Sequence, residues 1–136
     1  WALNQGNEAL IVDAGTCITY DWLNNENAYV GGNISPGLHM RLEAMHHFTH
    51  RLPLAELKDV IRIFAKSTDE ALSNGVAVGV LAEIKFYMNA LNSNAALFLT
   101  GGAGKWISNQ LDINHNYDPT LVIKGLYELY RYNNKN

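Results

Sequence analysis

The chain has 136 residues, of which 48% are apolar, 10% aromatic and 17% charged, the proportions of one globular domain rather than of a disordered or fibrous segment. Ten basic against thirteen acidic residues leave a formal charge of −3 without any Lys/Arg cluster, which argues against a nucleic-acid-binding surface. The single cysteine, Cys17, excludes an internal disulfide and a cysteine-rich zinc site. No apolar run approaches the ~20 residues that span a bilayer, and no signal-peptide pattern opens the chain. A cytoplasmic, single-domain chain is the expectation over residues 1–136, with no membrane and no nucleic-acid partner.

Taken in chain order, residues 1–8 read as the tail of a helix begun earlier. Leu10-Ile11-Val12 is a buried-type strand that runs into the small residues Asp13-Ala14-Gly15-Thr16, and Cys17 to Leu23 resumes a β-branched and aromatic pattern. Ala28-Tyr29-Val30 starts a third strand that Gly31-Gly32 should end, completing an antiparallel meander. Ile34-Ser35-Pro36-Gly37 is expected to break the sheet and open a helix carrying Leu38, Leu42, Met45 and Thr49, with Pro53 just beyond its last turn. Ser67-Thr68-Asp69-Glu70 has the pattern of a helix start, with a hydroxyl cap and acids in the first turn. The long helix that follows is apolar on several faces, and Gly75 and Gly79 should allow close backbone approach along one stripe. Ala95 to Leu99 predicts a buried strand, Thr100 to Gly104 a turn into a helix through Trp106 and Ile107. Leu121-Val122-Ile123 predicts a last strand, and Gly125 to Tyr130 a last helix with a frayed tail at 132–136. The order β-β-β-α-α-β-α-β-α describes an α/β domain with a mixed sheet of about five strands flanked by helices.

Two turns could carry chemistry. Asp13 is delivered by a strand directly into Ala14-Gly15-Thr16, where Gly15 lets backbone N–H groups approach an anion and Thr16 adds a hydroxyl donor. A carboxylate repels a phosphate unless a cation lies between them, so the alternative is an ordinary hairpin in which Asp13 and Thr16 bond their own backbone. Thr100-Gly101-Gly102-Ala103-Gly104-Lys105-Trp106 is not a Walker A loop, because Leu99 stands where a glycine is required and Trp106 where Ser or Thr is. Neither is it a Rossmann fingerprint, since the third glycine is missing. It remains a small-residue turn at a strand's carboxyl end, either a nucleotide contact or a plain turn.

Other groups signal less. His46 and His50 have i,i+4 spacing, but no Glu lies next to the first and no third ligand suggests itself, so His46, His47 and His50 read as a helix face. Ser67-Thr68 is a helix cap or a ligand contact. Cys17 sits mid-strand without a His partner and reads as a core residue rather than a nucleophile. No Gly-x-Ser-x-Gly elbow occurs.

Together the motifs resemble the type III pantothenate kinases of the actin-like, sugar-kinase-like ATPase superfamily. The resemblance is carried by Val12-Asp13-Ala14-Gly15-Thr16-Cys17-Ile18-Thr19-Tyr20-Asp21, Gly31-Gly32-Asn33-Ile34-Ser35-Pro36-Gly37-Leu38, Leu52-Pro53, Ser67-Thr68-Asp69-Glu70-Ala71, Leu99-Thr100-Gly101-Gly102 and Leu121-Val122-Ile123-Lys124-Gly125-Leu126. It implies a ribonuclease-H-like domain equivalent to the C-terminal half of a two-domain kinase. The family's N-terminal Asp-x-Gly-Asn-Thr phosphate loop and its Gly-x-Asp-Arg segment with the catalytic aspartate are not in these residues, so no catalytic residue is assigned to this chain. The resemblance further implies transfer of the γ-phosphoryl group of ATP to pantothenate, a homodimer, and a monovalent cation, potassium or ammonium, with magnesium accompanying ATP. Carried over by position, Asp13 would ligate the cation, Gly15, Thr16, Gly101 and Gly102 would meet ATP, and Thr68 would contact pantothenate. Two alternatives stay open: a non-enzymatic accessory or regulatory protein on the same scaffold, and another phosphotransferase or phosphatase of the superfamily.

Overall fold

A computed structural model describes residues 6–134. Its elements run β1 (Ala9–Ala14), β2 (Cys17–Leu23), β3 (Tyr29–Pro36), α1 (Leu38–His47), α2 (Thr68–Asn89), β4 (Ala96–Thr100), α3 (Gly104–Gln110), β5 (Asn116–Tyr117) and α4 (Leu121–Asn133). The strands form one sheet in the order β3-β2-β1-β4-β5. β1, β2 and β3 pair antiparallel, whereas β4 lies parallel to β1 and β5 parallel to β4. A crossover helix is what a parallel neighbour requires, and α2 supplies it between the meander and β4. The expected α/β architecture is present, with a sheet of the ribonuclease-H-like pattern and the expected elements in order through α3; the last strand lies elsewhere than expected.

Strand alternation sorts the side chains onto two faces. Leu10, Val12, Ala14, Ile18, Tyr20, Leu97 and Leu99 pack with Leu38 and Leu42 of α1, Leu72, Val76, Val80 and Ile84 of α2 and Ile107 of α3 in one core. The opposite parity, Ile11, Asp13, Thr19, Asp21, Phe98 and Thr100, lines an open cavity of about 620 Å³ that α4 borders on the other side. At the far end of the sheet Glu8 accepts from Trp22 Nε1 (2.9 Å) and from the Asn92 amide (2.8 Å), tying β1, β2 and the α2–β4 connection together. Among the described residues no helix is long and apolar enough to cross a membrane.

Several local expectations are corrected. Gly31-Gly32 do not end β3, which continues to Pro36, where an edge strand tolerates a proline. Gly32 lies so close to the Tyr20 carbonyl that a side chain would not fit, so there the glycine permits pairing instead of ending it. α1 accordingly begins at Leu38 and stops at His47; Thr49 lies outside it, its hydroxyl bonding the Met45 carbonyl at 2.7 Å. Leu121-Val122-Ile123 is the first turn of α4, not a strand, and the short β5 precedes it. Asp118 decides this: its Oδ1 accepts from the Thr120 amide (2.9 Å) and hydroxyl (2.7 Å), and its Oδ2 pairs with Lys124 (2.5 Å). A carboxylate at a helix N-terminus stabilises the helix over the β-branched run's strand preference.

Gly75 has no neighbour that a side chain would meet, so only Gly79 of the expected stripe is a close approach, and it faces Arg41 Nη1. Cys17 is exposed at the start of β2 rather than buried in the core. α4 is helical through Asn133, which shortens the expected frayed tail; residues 135 and 136 lie outside the described residues. The helix tail expected at 1–8 also lies outside them through residue 5, and residues 6–8 form a turn into β1.

Candidate functional site

Because β4 runs parallel to β1, the two glycine-containing turns that follow them emerge at the same end of the sheet. The register pairs Asp13 with Thr100, so Gly101 arrives beside the Asp13 side chain. Gly101 has φ +88°, and a Cβ there would collide with Asp13 Oδ1 and with the Ala14 carbonyl oxygen. Both conditions demand glycine. The Ala103 amide donates to the Ala14 carbonyl (2.9 Å), stitching the second turn onto the end of β1. Gly102 is exposed with nothing within 4 Å of where its Cβ would be, so packing does not require it.

Asp13 is half-buried, while Gly15 and Thr16 are exposed. Among the described residues neither the Asp13 carboxylate nor the Thr16 hydroxyl takes a hydrogen bond within the chain, whereas the neighbouring Asp21 carboxylate accepts from Thr19 (3.2 Å) and Tyr29 (3.3 Å). The turn is a hairpin closed by its backbone, the Gly15 amide donating to the Cys17 carbonyl at 2.9 Å, and the side-chain bonds of Asp13 and Thr16 expected in the ordinary-hairpin alternative are absent among the described residues. Asp13 Oδ1 and the Ala14 carbonyl both lie against Gly101, and since the Ala14 oxygen already accepts from Ala103, the Asp13 carboxylate is the oxygen donor of this contact left to face a hard cation.

The β1–β2 turn is supported from its other side by a residue the sequence reading did not single out. Gly37, the N-cap of α1, donates its amide to the Thr16 carbonyl at 2.9 Å, and a Cβ on it would collide with the carbonyl oxygens of Gly15 and Thr16. Behind it lies a four-residue network. Glu83 of α2 accepts from Tyr20 OH (2.9 Å), Ser35 Oγ (2.9 Å) and Arg41 Nη2, the last at 2.7 and 2.8 Å from its two oxygens. Burial alone would raise the Glu83 carboxyl, but the hydrogen bonds from Arg41, Tyr20 and Ser35 outweigh it and hold it below its usual value. Burial, with the Glu83 charge, pushes the Tyr20 phenol well above its usual value. Arg41 and Glu83 are 42 positions apart in sequence, and no local motif signals the pair.

Thr68 stands apart from this cluster. It is the exposed first residue of α2, and Ser67 is the cap, its hydroxyl accepting from the Glu70 amide at 3.3 Å while Glu70 reaches back to the Lys66 amide at 3.0 Å. Its end of α2 points toward the turn end of the sheet, since α2 feeds β4 and β4 runs toward Gly101. Of the histidines, His46 Nδ1 lies 2.8 Å from the Leu52 carbonyl and His47 stacks edge-on with Phe48, so both have local partners.

A sequence model of the type III pantothenate kinase family matches residues 1–90. Proteins named type III pantothenate kinase from Phocaeicola vulgatus and Bacteroides fragilis are 39% and 42% identical over 98% and 95% of this chain, but over only 56% and 54% of their own length. The chain thus spans about half the length of the curated relatives it matches. Among solved structures, a Campylobacter jejuni protein described as a Baf family transcriptional activator superposes with a TM-score of 0.77 at 28% identity, over 98% of this chain and 60% of its own. The ethanolamine utilization protein EutJ from Carboxydothermus hydrogenoformans is similar in fold alone, with a TM-score of 0.50 at 12% identity, over 83% of this chain and 45% of its own. The matched segment contains Asp13, Gly15, Thr16, Gly37 and Thr68, the residues of the first turn, its support and the start of α2, and on that match the chain belongs to the type III pantothenate kinase family.

Proposed function

We propose that the intact protein transfers the γ-phosphoryl group of ATP to the primary hydroxyl of pantothenate, giving 4'-phosphopantothenate and ADP, and that this chain supplies its second domain. The observation that carries the reading is the junction of the two turns. The Asp13 carboxylate, against which Gly101 packs, and the exposed Thr16 hydroxyl three residues on both lack hydrogen-bond partners among the described residues.

In this reading the Thr16 hydroxyl receives an ATP phosphate, Gly15, whose amide is already donated to the Cys17 carbonyl at 2.9 Å, lets the phosphate approach the turn, and Gly101 and Gly102 floor the nucleotide. Asp13, with the Ala14 carbonyl beside it, holds a monovalent cation, potassium or ammonium, which resolves the repulsion between carboxylate and phosphate. A bound cation would supply charge stabilisation at the phosphates, and magnesium would travel with ATP. Phosphoryl transfer requires mostly positioning and electrostatic stabilisation, which a rigid sheet end can provide. The substrate oxygen bonds to Pγ as the bond from Pγ to the β–γ bridging oxygen breaks. The hydroxyl proton passes to a base that the family resemblance places outside these 136 residues. Thr68, at the free start of α2, contacts pantothenate. The functional unit is a cytoplasmic homodimer.

Coupled assay of ADP release with and without pantothenate on the intact protein tests the reading. Pantothenate-dependent turnover that needs potassium or ammonium is the expected result; its absence with an otherwise folded protein would overturn the kinase assignment. The 136-residue chain alone should be inactive, because general-base help is worth about 10²–10⁴ in rate. A second reading, a regulatory protein on the same scaffold, is favoured by the likeness to the C. jejuni protein described as a transcriptional activator. Nucleotide binding without pantothenate-dependent turnover would support it instead.

A further inference from the structure

Arg41 grips the end of β3 just before Gly37 with its side chain and Gly37 itself with its backbone. Its backbone amide donates to the Gly37 carbonyl (3.0 Å), and its Nε donates to the Pro36 carbonyl (2.8 Å). The same guanidinium reaches Ser35 Oγ at 3.1 Å and both oxygens of Glu83, which anchors it to α2. Gly79, one turn before Glu83, leaves room for it: a Cβ there would lie 3.3 Å from Nη1. Gly37, held in this way, donates to the Thr16 carbonyl and lies against the Gly15 carbonyl. A continuous set of bonds therefore runs from the middle of α2, through one guanidinium and one glycine, to the β1–β2 turn.

We propose that Arg41 is a positioning residue for that turn: its bonds to Ser35, Pro36 and Gly37 fix the Gly37 amide, and through it set the Gly15–Thr16 turn at the place where Thr16 receives an ATP phosphate. The inference rests on the reading of the turn as the phosphate-binding element. An ion pair of this partial exposure contributes little to stability on its own account, so its worth lies in geometry. Displacing a positioning contact by about 1 Å can cost about 10²-fold in rate. The fork of the guanidinium is essential to the argument. It serves Pro36 with Nε and Glu83 with Nη2 at once, and a lysine could keep the Glu83 pair but not both bonds.

Arg41→Lys in the intact protein is the discriminating variant. The expected result is a melting temperature close to the parent's, faster amide hydrogen exchange at Gly37, an ATP KM raised about tenfold and an unchanged pantothenate KM. Gly79→Ala, which crowds Nη1 without removing any group, should give the same pattern in weaker form and serves if the first variant folds poorly. Trp22→Phe, which removes the bond to Glu8 at the opposite end of the sheet, should lower the melting temperature without moving the ATP KM. Parental Gly37 exchange and parental ATP KM in Arg41→Lys would overturn the proposal. Thr16→Ala separates the two levels. If it raises the ATP KM while Arg41→Lys does not, positioning fails and the phosphate turn stands. A parental ATP KM in Thr16→Ala removes the phosphate turn, and the positioning role with it, even where Gly37 exchange still responds to Arg41.

Discussion

Asp13 and Gly101 sit on adjacent parallel strand ends with Gly101 in the left-handed region at φ +88°, its missing side chain letting its backbone lie against Asp13 Oδ1 and the Ala14 carbonyl. Two turns separated by more than eighty residues are thereby made into one concave edge. The contact also separates Gly101 from Gly102, which look interchangeable in sequence: the first is required by backbone and packing, the second by neither.

Gly101→Ala should therefore destabilise the protein by about 1–3 kcal/mol, the usual range for a strained backbone position, and weaken ATP binding with it. Gly102→Ala should stay within about 0.5 kcal/mol of the parent. Thermal melts of the two variants, side by side, check the difference. Any rise in ATP KM for Gly102→Ala would then report contact with the nucleotide, free of a folding effect.

Asp13→Asn keeps the size of the side chain and removes its charge. Potassium activation should need about tenfold more of the ion, equivalent to about 1.4 kcal/mol, and the ATP KM should rise. Asp21→Asn is the control, because Asp21 is already bonded by Thr19 and Tyr29. An unaltered potassium titration in Asp13→Asn would remove the residue from the site.

The cap at the start of α2 is Ser67, which sharpens the test of Thr68. Ser67→Ala should cost about 1 kcal/mol of stability and leave pantothenate kinetics alone. Thr68→Ala should barely move the melting temperature and raise the pantothenate KM several-fold, as losing one hydrogen bond of about 0.5–1.5 kcal/mol would. A parental pantothenate KM in Thr68→Ala would leave it as a first-turn residue only.

Glu83 links the fold to pH. Its carboxyl is held below the usual 4.5 by Arg41, Tyr20 and Ser35 against the cost of burial, so between the folded and unfolded values the unfolded chain binds the extra proton. The stability this provides is full above about pH 4.5 and is lost as pH falls through the lower folded value. Glu83→Gln should flatten that part of the acid limb in melts recorded from pH 6 down to pH 3. Parent and variant curves that fall in parallel would show that the network does not stabilise the charged form.

Local chemistry made much of this protein legible as a string. The order of the elements from β1 to α3 follows from hydrophobic periodicity and from Gly, Pro and Asp punctuation. The small residues between Val12 and Cys17 and between Leu99 and Lys105 mark the two turns because such turns need glycine wherever they occur. The string misled where two local preferences competed. Leu121-Val122-Ile123 favours a strand on its own, and the Asp118 carboxylate at the helix start overrides it. Gly31-Gly32 favours a break, yet edge pairing with β2 carries the strand on to Pro36.

Only the tertiary structure decided which residues stand behind the site. Gly37 against Thr16, Arg41 against Glu83 and Gly79, and Gly101 against Asp13 are contacts between positions 21 to 88 apart. The side-chain period of a helix or strand carries no information about such pairs. They exist because the parallel placement of β4 beside β1 and the packing of α1 on α2 close long loops. The sequence by itself determined the elements through α3 and both glycine turns, and the closure of those loops determined that the turns meet at a carboxylate with no hydrogen-bond partner among the described residues.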